Sequence, residues 1–251
     1  MRRKARERSG LFVAEGIRTV EGLLDSPLRI TGALTCDLLD RTPRGAEITA
    51  ALVARGVEVA RVSERDFMSA SDTEHPQGVL AIAEQPTFNL SSIPGLAGTA
   101  STRLLVLDGI QDPGNVGTLL RTAAALGVAA TVVLAGTVDV WNAKVVRSAA
   151  GMQLRHPTVS TTGEVLHSFL REHGIVLWGA DAHGTSIDAV TPPPRLALVF
   201  GNEGAGLSEM VSTRCDALVA LPMAPGAESL NVAVAAGIML FELRPSSRIA
   251  T

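Results

Sequence analysis

From residue 103 onward, short unbroken apolar runs alternate with longer stretches in which apolar residues recur every three or four positions. The apolar runs, at 104–107, 131–134, 175–178, 196–200 and 217–221, have strand length and no polar alternation. The helical stretches lie between and after them, at 118–126, 142–150, 163–172, 208–214 and 229–243. Strands that are apolar on both faces and joined by helices predict a parallel sheet covered on both sides, an α/β fold. The last stretch, SLNVAVAAGIMLFEL, is apolar nearly all round, which places it in a core or at a subunit interface. Upstream the pattern is more mixed. GIRTVEGLLDS and PRGAEITAALVARG have helical spacing, and LRITGAL, VEVARV and GVLAIAE read as short strands, predicting a small α/β domain.

Residues 85–102, QPTFNLSSIPGLAGTAST, are rich in Pro, Gly, Ser and Thr and carry no charge. They read as a linker or long surface connection, dividing the chain into domains at 1–84 and 103–251.

Composition narrows the setting. The 251 residues are 46% hydrophobic, ample for sizeable cores. Cys36 and Cys215 are too far apart in sequence for a compact disulfide framework or a metal knuckle, so a reducing compartment is the simpler reading. The N-terminus lacks the continuous apolar core of a signal peptide and no run reaches membrane-spanning length, so a cytoplasmic location is expected. A net charge of −3 argues against coating nucleic acid by charge alone. Arg2, Arg3, Lys4, Arg6 and Arg8 against Glu7 nevertheless form a basic patch, either a solvated terminus or a phosphate contact.

Three loops that follow predicted strands carry the candidate chemistry. Ligands of open α/β sheets bind beyond the carboxyl ends of the strands, so three such loops imply one composite site. In DGIQDPGNVG, from Asp108, Asp112-Pro113-Gly114 is a turn signal and Asn115 is suited to cap the next helix. Arg121 follows on that helix in an alanine-rich segment, where it either grips a phosphate or carboxylate or pairs with a core acid. GNEGAGLS sets Glu203 among Gly201, Gly204 and Gly206, a ligand loop or a tight turn with a solvated acid. The third segment puts Pro222, Gly226, Glu228, Ser229 and Asn231 between a strand and the apolar helix, with Ser229 as its cap and Asn231 in its first turn.

Several chemistries are excluded. No GxGxxG precedes an acidic ribose partner, which disfavours nicotinamide or flavin. Gly109 to Gly114 has P-loop spacing, but Asn115-Val116 stands where Lys and Ser or Thr are required. His75, His156, His167, His173 and His183 have no zinc-like spacing, so no metal is expected and these residues read as surface or packing groups. No GxSxG elbow is present.

Taken together, the three segments resemble motifs of the SpoU, or TrmH-like, branch of the SPOUT RNA methyltransferases. Asn115, Gly117 and Arg121 match NxGxxxR, and Gly201, Glu203 and Gly206 match GxExxG. Leu221, Pro222, Met223, Glu228, Ser229, Leu230, Asn231 and Val232 match LPM…ESLNV. The front portion resembles the L30e-like substrate-binding domain of such enzymes through GLFVAEG, from Gly10 to Gly16, and HPQGVLAIAE, from His75 to Glu84. The chain begins almost directly at the first of these, so a leading segment often found in such enzymes is expected to be missing.

The resemblance implies S-adenosylmethionine-dependent 2′-O-methylation of a ribose in RNA, by a homodimer whose C-terminal parallel-sheet domain holds a trefoil knot. It implies that Gly201, Leu221, Met223, Ser229 and Leu230 bind the cofactor, and that Asn115, Arg121, Glu203, Ser229 and Asn231 form the catalytic region. Ribosomal RNA of the 23S type is the preferred substrate, because the front domain resembles that of rRNA enzymes. Transfer RNA, a drug-resistance methylation of rRNA and a noncatalytic RNA-binding role remain open.

Overall fold

The computed structural model describes residues 3–93, 96, 100–226 and 229–245. Contacts divide the chain into two units, one of Met1–Thr87 with Asp139–Arg155 and one of Phe88–Val138 with His156–Thr251.

The first unit contains α1 (Arg3–Ser9), β1 (Leu11–Glu15), α2 (Ile17–Leu24), β2 (Ile30–Thr35), α3 (Asp37–Asp40), α4 (Gly45–Ala54), β3 (Val59–Arg61), α5 (Glu64–Ala70) and β4 (Val79–Glu84). Its sheet has the order β1-β4-β2-β3, with β4 antiparallel to both neighbours and β3 parallel to β2. The amphipathic α2 turns Ile17, Val20 and Leu23 onto a core with Phe12, Leu52 and Val79. Val146 and Leu154 join that core from the segment Asp139–Arg155. Two contacts fasten this segment: Arg6 Nε donates to Asp139 Oδ2 at 2.9 Å, and the Phe12 and Trp141 rings lie 4.7 Å apart. Arg6 is therefore buried, and Arg3 pairs with Glu7 on the next turn of α1. Arg2 lies outside the described residues.

The remaining elements are β5 (Thr102–Asp108), α6 (Pro113–Ala125), β6 (Ala130–Val133), α7 (Ala143–Ser148), β7 (Thr158–Ser160), α8 (Gly163–Glu172), β8 (Val176–Ser186), β9 (Arg195–Gly201), α9 (Glu209–Ser212), β10 (Ala217–Ala220) and α10 (Val232–Glu242). Apart from α7, which falls within Asp139–Arg155, they build the second unit. All six strands are parallel, in the order β10-β8-β9-β5-β6-β7. Every residue of central β5 is buried, as its unbroken apolar run requires. The five predicted strands are present. The three-residue β7, Thr158–Ser160, is additional, too short and too polar to leave a pattern. Ile93 and Leu96, from the Pro- and Ser-rich stretch, bury against Leu104, Val106 and Phe169.

Two helix caps differ from the sequence expectation. α6 begins at Pro113 and is capped by Asp112, whose carboxylate accepts the Asn115 N–H, so Asn115 sits inside the first turn rather than capping it. Proline at the first helical position has no N–H to satisfy, which favours that start. α10 begins at Val232 and its cap is Asn231, not Ser229. Both shifts free a polar side chain for other work or commit one to a backbone role.

Arg103 is buried on β5 and binds no carboxylate among the described residues. Its Nε donates to Leu243 O at 2.6 Å, and its Nη1 to Thr102 O at 2.9 Å and Pro194 O at 2.7 Å. The guanidinium thus caps the carbonyl-rich end of α10, where a cation is favoured. Burial lowers its pKa from the usual arginine value. Cys36 and Cys215 are free thiols, and burial, with Asp216 and Asp108 nearby, pushes Cys215 up to about 11. Among the described residues no helix is long and apolar enough to cross a membrane.

Candidate active site

Because β5, β9 and β10 run parallel, their carboxyl ends open on one edge of the sheet, and the loops after them meet there. Asp108 pairs with Gly201 in the β5–β9 ladder, so the first two loops start side by side. Three hydrogen bonds pin them. Ser208 N donates to Asp108 Oδ2 at 2.7 Å, Asn202 Nδ2 donates to Gly109 O at 3.0 Å, and Gly109 N donates to Thr137 Oγ1 at 3.0 Å. Asn202 Oδ1 also accepts the N–H groups of Gly204 and Ala205, at 2.9 and 3.0 Å, which closes the second loop on itself. Only glycine fits at 201, since a Cβ there would lie 2.3 Å from the Gly206 carbonyl.

A chain of side chains then joins all three loops. Asn231 Oδ1 accepts the N–H groups of Ala233 and Val234 at the start of α10, and its Nδ2 donates to Asn115 Oδ1 at 3.0 Å. Asn115 Nδ2 in turn donates to Glu203 Oε1 at 2.8 Å. Glu203 and Asn231 are exposed and Asn115 half-buried, so this relay stands where a macromolecular substrate can reach it.

Beside the relay is a cavity of about 410 Å³. Phe200, Val219, Leu221, Met223, Leu230 and Met239 give it an apolar wall, while Asp181, His183, Glu203 and Ser229 supply polar side chains. No Lys or Arg lines it among the described residues.

The structure thus brings Asn115, Glu203 and Asn231 into one network and sets Gly201, Leu221, Met223, Ser229 and Leu230 around one cavity. Glu228 lies outside the described residues. Arg121 is elsewhere. It is exposed on α6 and lines a separate groove of about 660 Å³ with Thr118 and Thr122 of α6 and Gly237, Ile238 and Phe241 of α10. Along α10, Val234, Ile238 and Phe241 form an exposed apolar stripe, 50%, 41% and 47% accessible. Sequence reasoning missed three residues. Asn202 was legible as the polar residue after the strand in GNEG, whereas nothing in the ADAHG segment signals that Asp181 and His183 turn into the cavity. Among the described residues no group of His, Cys, Asp or Glu could hold a metal ion.

Comparison with known proteins matches two family models to the chain. The model of the SpoU rRNA Methylase family matches residues 102–241, and that of the MRM3-like substrate binding domain matches residues 1–81. The chain is 33% identical over 243 residues to the 23S rRNA (guanosine(2553)-2'-O)-methyltransferase RlmP of Bacillus subtilis, across 96% of this chain and 92% of that protein. It is 32% identical over 260 residues to the 23S rRNA (uridine(2479)-2'-O)-methyltransferase of Streptomyces viridochromogenes, across 99% and 88%. The AdoMet-bound rRNA methyltransferase from Sinorhizobium meliloti superposes with a TM-score of 0.83 at 30% identity, over 97% of this chain and 90% of that one. The SpoU methyltransferase AviRb from Streptomyces viridochromogenes, in complex with AdoMet, gives 0.82 at 31% identity, over 97% and 92%.

Proposed function

The chain belongs to the SpoU rRNA methylase family, and from that premise we propose that it is an S-adenosylmethionine-dependent methyltransferase acting on a ribose 2′-hydroxyl of ribosomal RNA, of the 23S type. The observation that carries this reading is the Asn231–Asn115–Glu203 relay at the rim of the cavity. It sets a carboxylate, oriented from a helix terminus, where a ribose hydroxyl arriving from solvent would meet a ligand held inside.

The cavity suits the cofactor. Its volume is within the range of small-molecule sites. Its apolar wall can take a purine ring, and its acids, unopposed by Lys or Arg among the described residues, suit a ligand with one net positive charge. When bound, S-adenosylmethionine supplies a methyl group activated on a sulfonium. The chain's own contribution is alignment. Glu203, with Oε1 held by Asn115, keeps Oε2 for the ribose hydroxyl, accepting its hydrogen bond so that the hydroxyl oxygen faces the cavity. Arg121, a permanent cation with a planar fork of donors, grips a phosphate next to the target ribose.

The stripe of Val234, Ile238 and Phe241 is covered by a second copy of the chain, giving a homodimer with Arg121 at the subunit boundary. The unit built on residues 1–87 supplies further RNA contacts, in keeping with its match to a substrate-binding domain. An rRNA substrate and two free thiols suit the cytoplasm. The reading is tested by measuring S-adenosylmethionine binding to the purified protein and transfer of its methyl group to rRNA. Binding with 2′-O-methylated product supports it, and absence of binding overturns it.

A further inference from the structure

Strand β8 leaves its partner partway along. Trp178 pairs with Ala217 and Gly179 with Leu218, but the next residue of β10, Val219, pairs with Thr185. Residues 180–184 are expelled from the ladder, a large bulge of the kind that re-aims side chains beside functional sites. Re-entry is possible only with glycine at 184, because a Cβ there would lie 2.6 Å from both the Leu218 carbonyl carbon and the Val219 nitrogen. The expelled residues Ala180 to His183 line the same cavity as Gly201 and Leu221. Asp181 shapes the turn, its Oδ1 accepting the His183 N–H at 2.8 Å.

Resting on the methyltransferase reading above, we propose that Asp181 binds the vicinal ribose hydroxyls of the cofactor's adenosine half. Among the described residues, Asp181, His183 and Glu203 are the ionisable ones that line the cavity. Glu203 is committed to the relay, which marks its end of the cavity as the place where the methyl group must meet the RNA ribose. The bulge comes from β8, a strand that contributes nothing to the relay, and it serves the remaining, nucleoside half. The apolar wall accommodates a purine but leaves a buried diol without an acceptor, and unmatched buried hydroxyls are costly. A carboxylate accepts from two adjacent hydroxyls at once and still has capacity for the His183 N–H.

The test is calorimetric titration of wild type, Asp181→Ala and Asp181→Asn with four probes. These are S-adenosylmethionine, S-adenosylhomocysteine, 5′-methylthioadenosine and the 2′,3′-dideoxy form of the last. Asp181→Asn keeps an oxygen for the His183 N–H, so it preserves the bulge and keeps the test decisive if the alanine variant fails to fold. Both variants should lose affinity for S-adenosylmethionine and S-adenosylhomocysteine by the same factor, about 10–100-fold for a lost charged hydrogen-bond pair. Wild type should prefer methylthioadenosine to its dideoxy form, and the asparagine variant should not. Unchanged affinities in a variant that melts like wild type would overturn the assignment, as would a loss confined to the sulfonium compound, which would mark Asp181 as a charge sensor. A wild type that binds none of the probes overturns the methyltransferase reading itself.

Discussion

Asn231 determines which way the amide of Asn115 faces. Its Oδ1 is bound by two backbone N–H groups of α10, which can only donate, so its Nδ2 must point to Asn115 Oδ1, and Asn115 must then present its own Nδ2 to Glu203. A helix cap thus sets the orientation of a site carboxylate two side chains away. Asn231→Asp separates the two roles. Aspartate caps as well as asparagine, so the melting temperature should stay close to wild type. With no donor at 231, Asn115 turns its Nδ2 to the new carboxylate and its oxygen to Glu203, and methyl transfer should fall about 100-fold. Asn231→Ala should lose activity and also about 1 kcal/mol of stability. Thermal melts beside initial rates distinguish these, and a fully active Asn231→Asp would show that the relay's direction is irrelevant.

Arg121 does not line the cavity proposed for the cofactor. Arg121→Ala should therefore bind S-adenosylmethionine like wild type while methyl transfer drops by roughly 100-fold or more. Arg121→Lys should restore little, because a point charge does not reproduce the guanidinium fork. Equal loss of cofactor binding and turnover would contradict the division of labour.

Ile238 sits in the middle of the exposed α10 stripe and lines the Arg121 groove. Ile238→Glu should convert a dimer to a monomer in sedimentation velocity with little change in monomer stability, since the side chain is 41% exposed. Activity should fall with the dimer. A wild type that sediments as a monomer at micromolar concentration would remove the basis for this prediction.

His156 is buried against Thr131 at 2.8 Å, and burial depresses its pKa to about 4 from 6.5. Between those values the unfolded chain binds a proton that the folded chain refuses, so stability is lost as pH falls through that window. The full shift corresponds to about 3 kcal/mol. Denaturant midpoints from pH 7 to pH 4 should decline, and His156→Gln should flatten the decline.

The parallel sheet was legible because the central runs of β5 and β9, 104–107 and 196–200, are buried on both faces and so are apolar without interruption. The glycine and asparagine loops were legible as well, since close backbone approach at Gly201 leaves no alternative residue. Other features left no one-dimensional trace. The starts of α6 and α10 depend on whether Asp112 or Asn115, and Ser229 or Asn231, takes the cap, and each pair offers two good capping side chains within three residues. Asp181 and His183 reach the cavity through a bulge defined by the register of β8 against β10, a relation between distant segments. The docking of Asp139–Arg155 on the first unit rests on partners such as Arg6 and Phe12, more than 120 residues earlier.

The most direct test of the central claim is to map ribose methylation in 23S-type rRNA from a strain lacking this protein, and to repair the RNA in vitro. The account predicts one 2′-O-methyl group absent from the deletion strain and restored when purified protein and S-adenosylmethionine are added to that RNA. A methyl group restored on a base, or an rRNA methylation pattern identical in both strains, would contradict it.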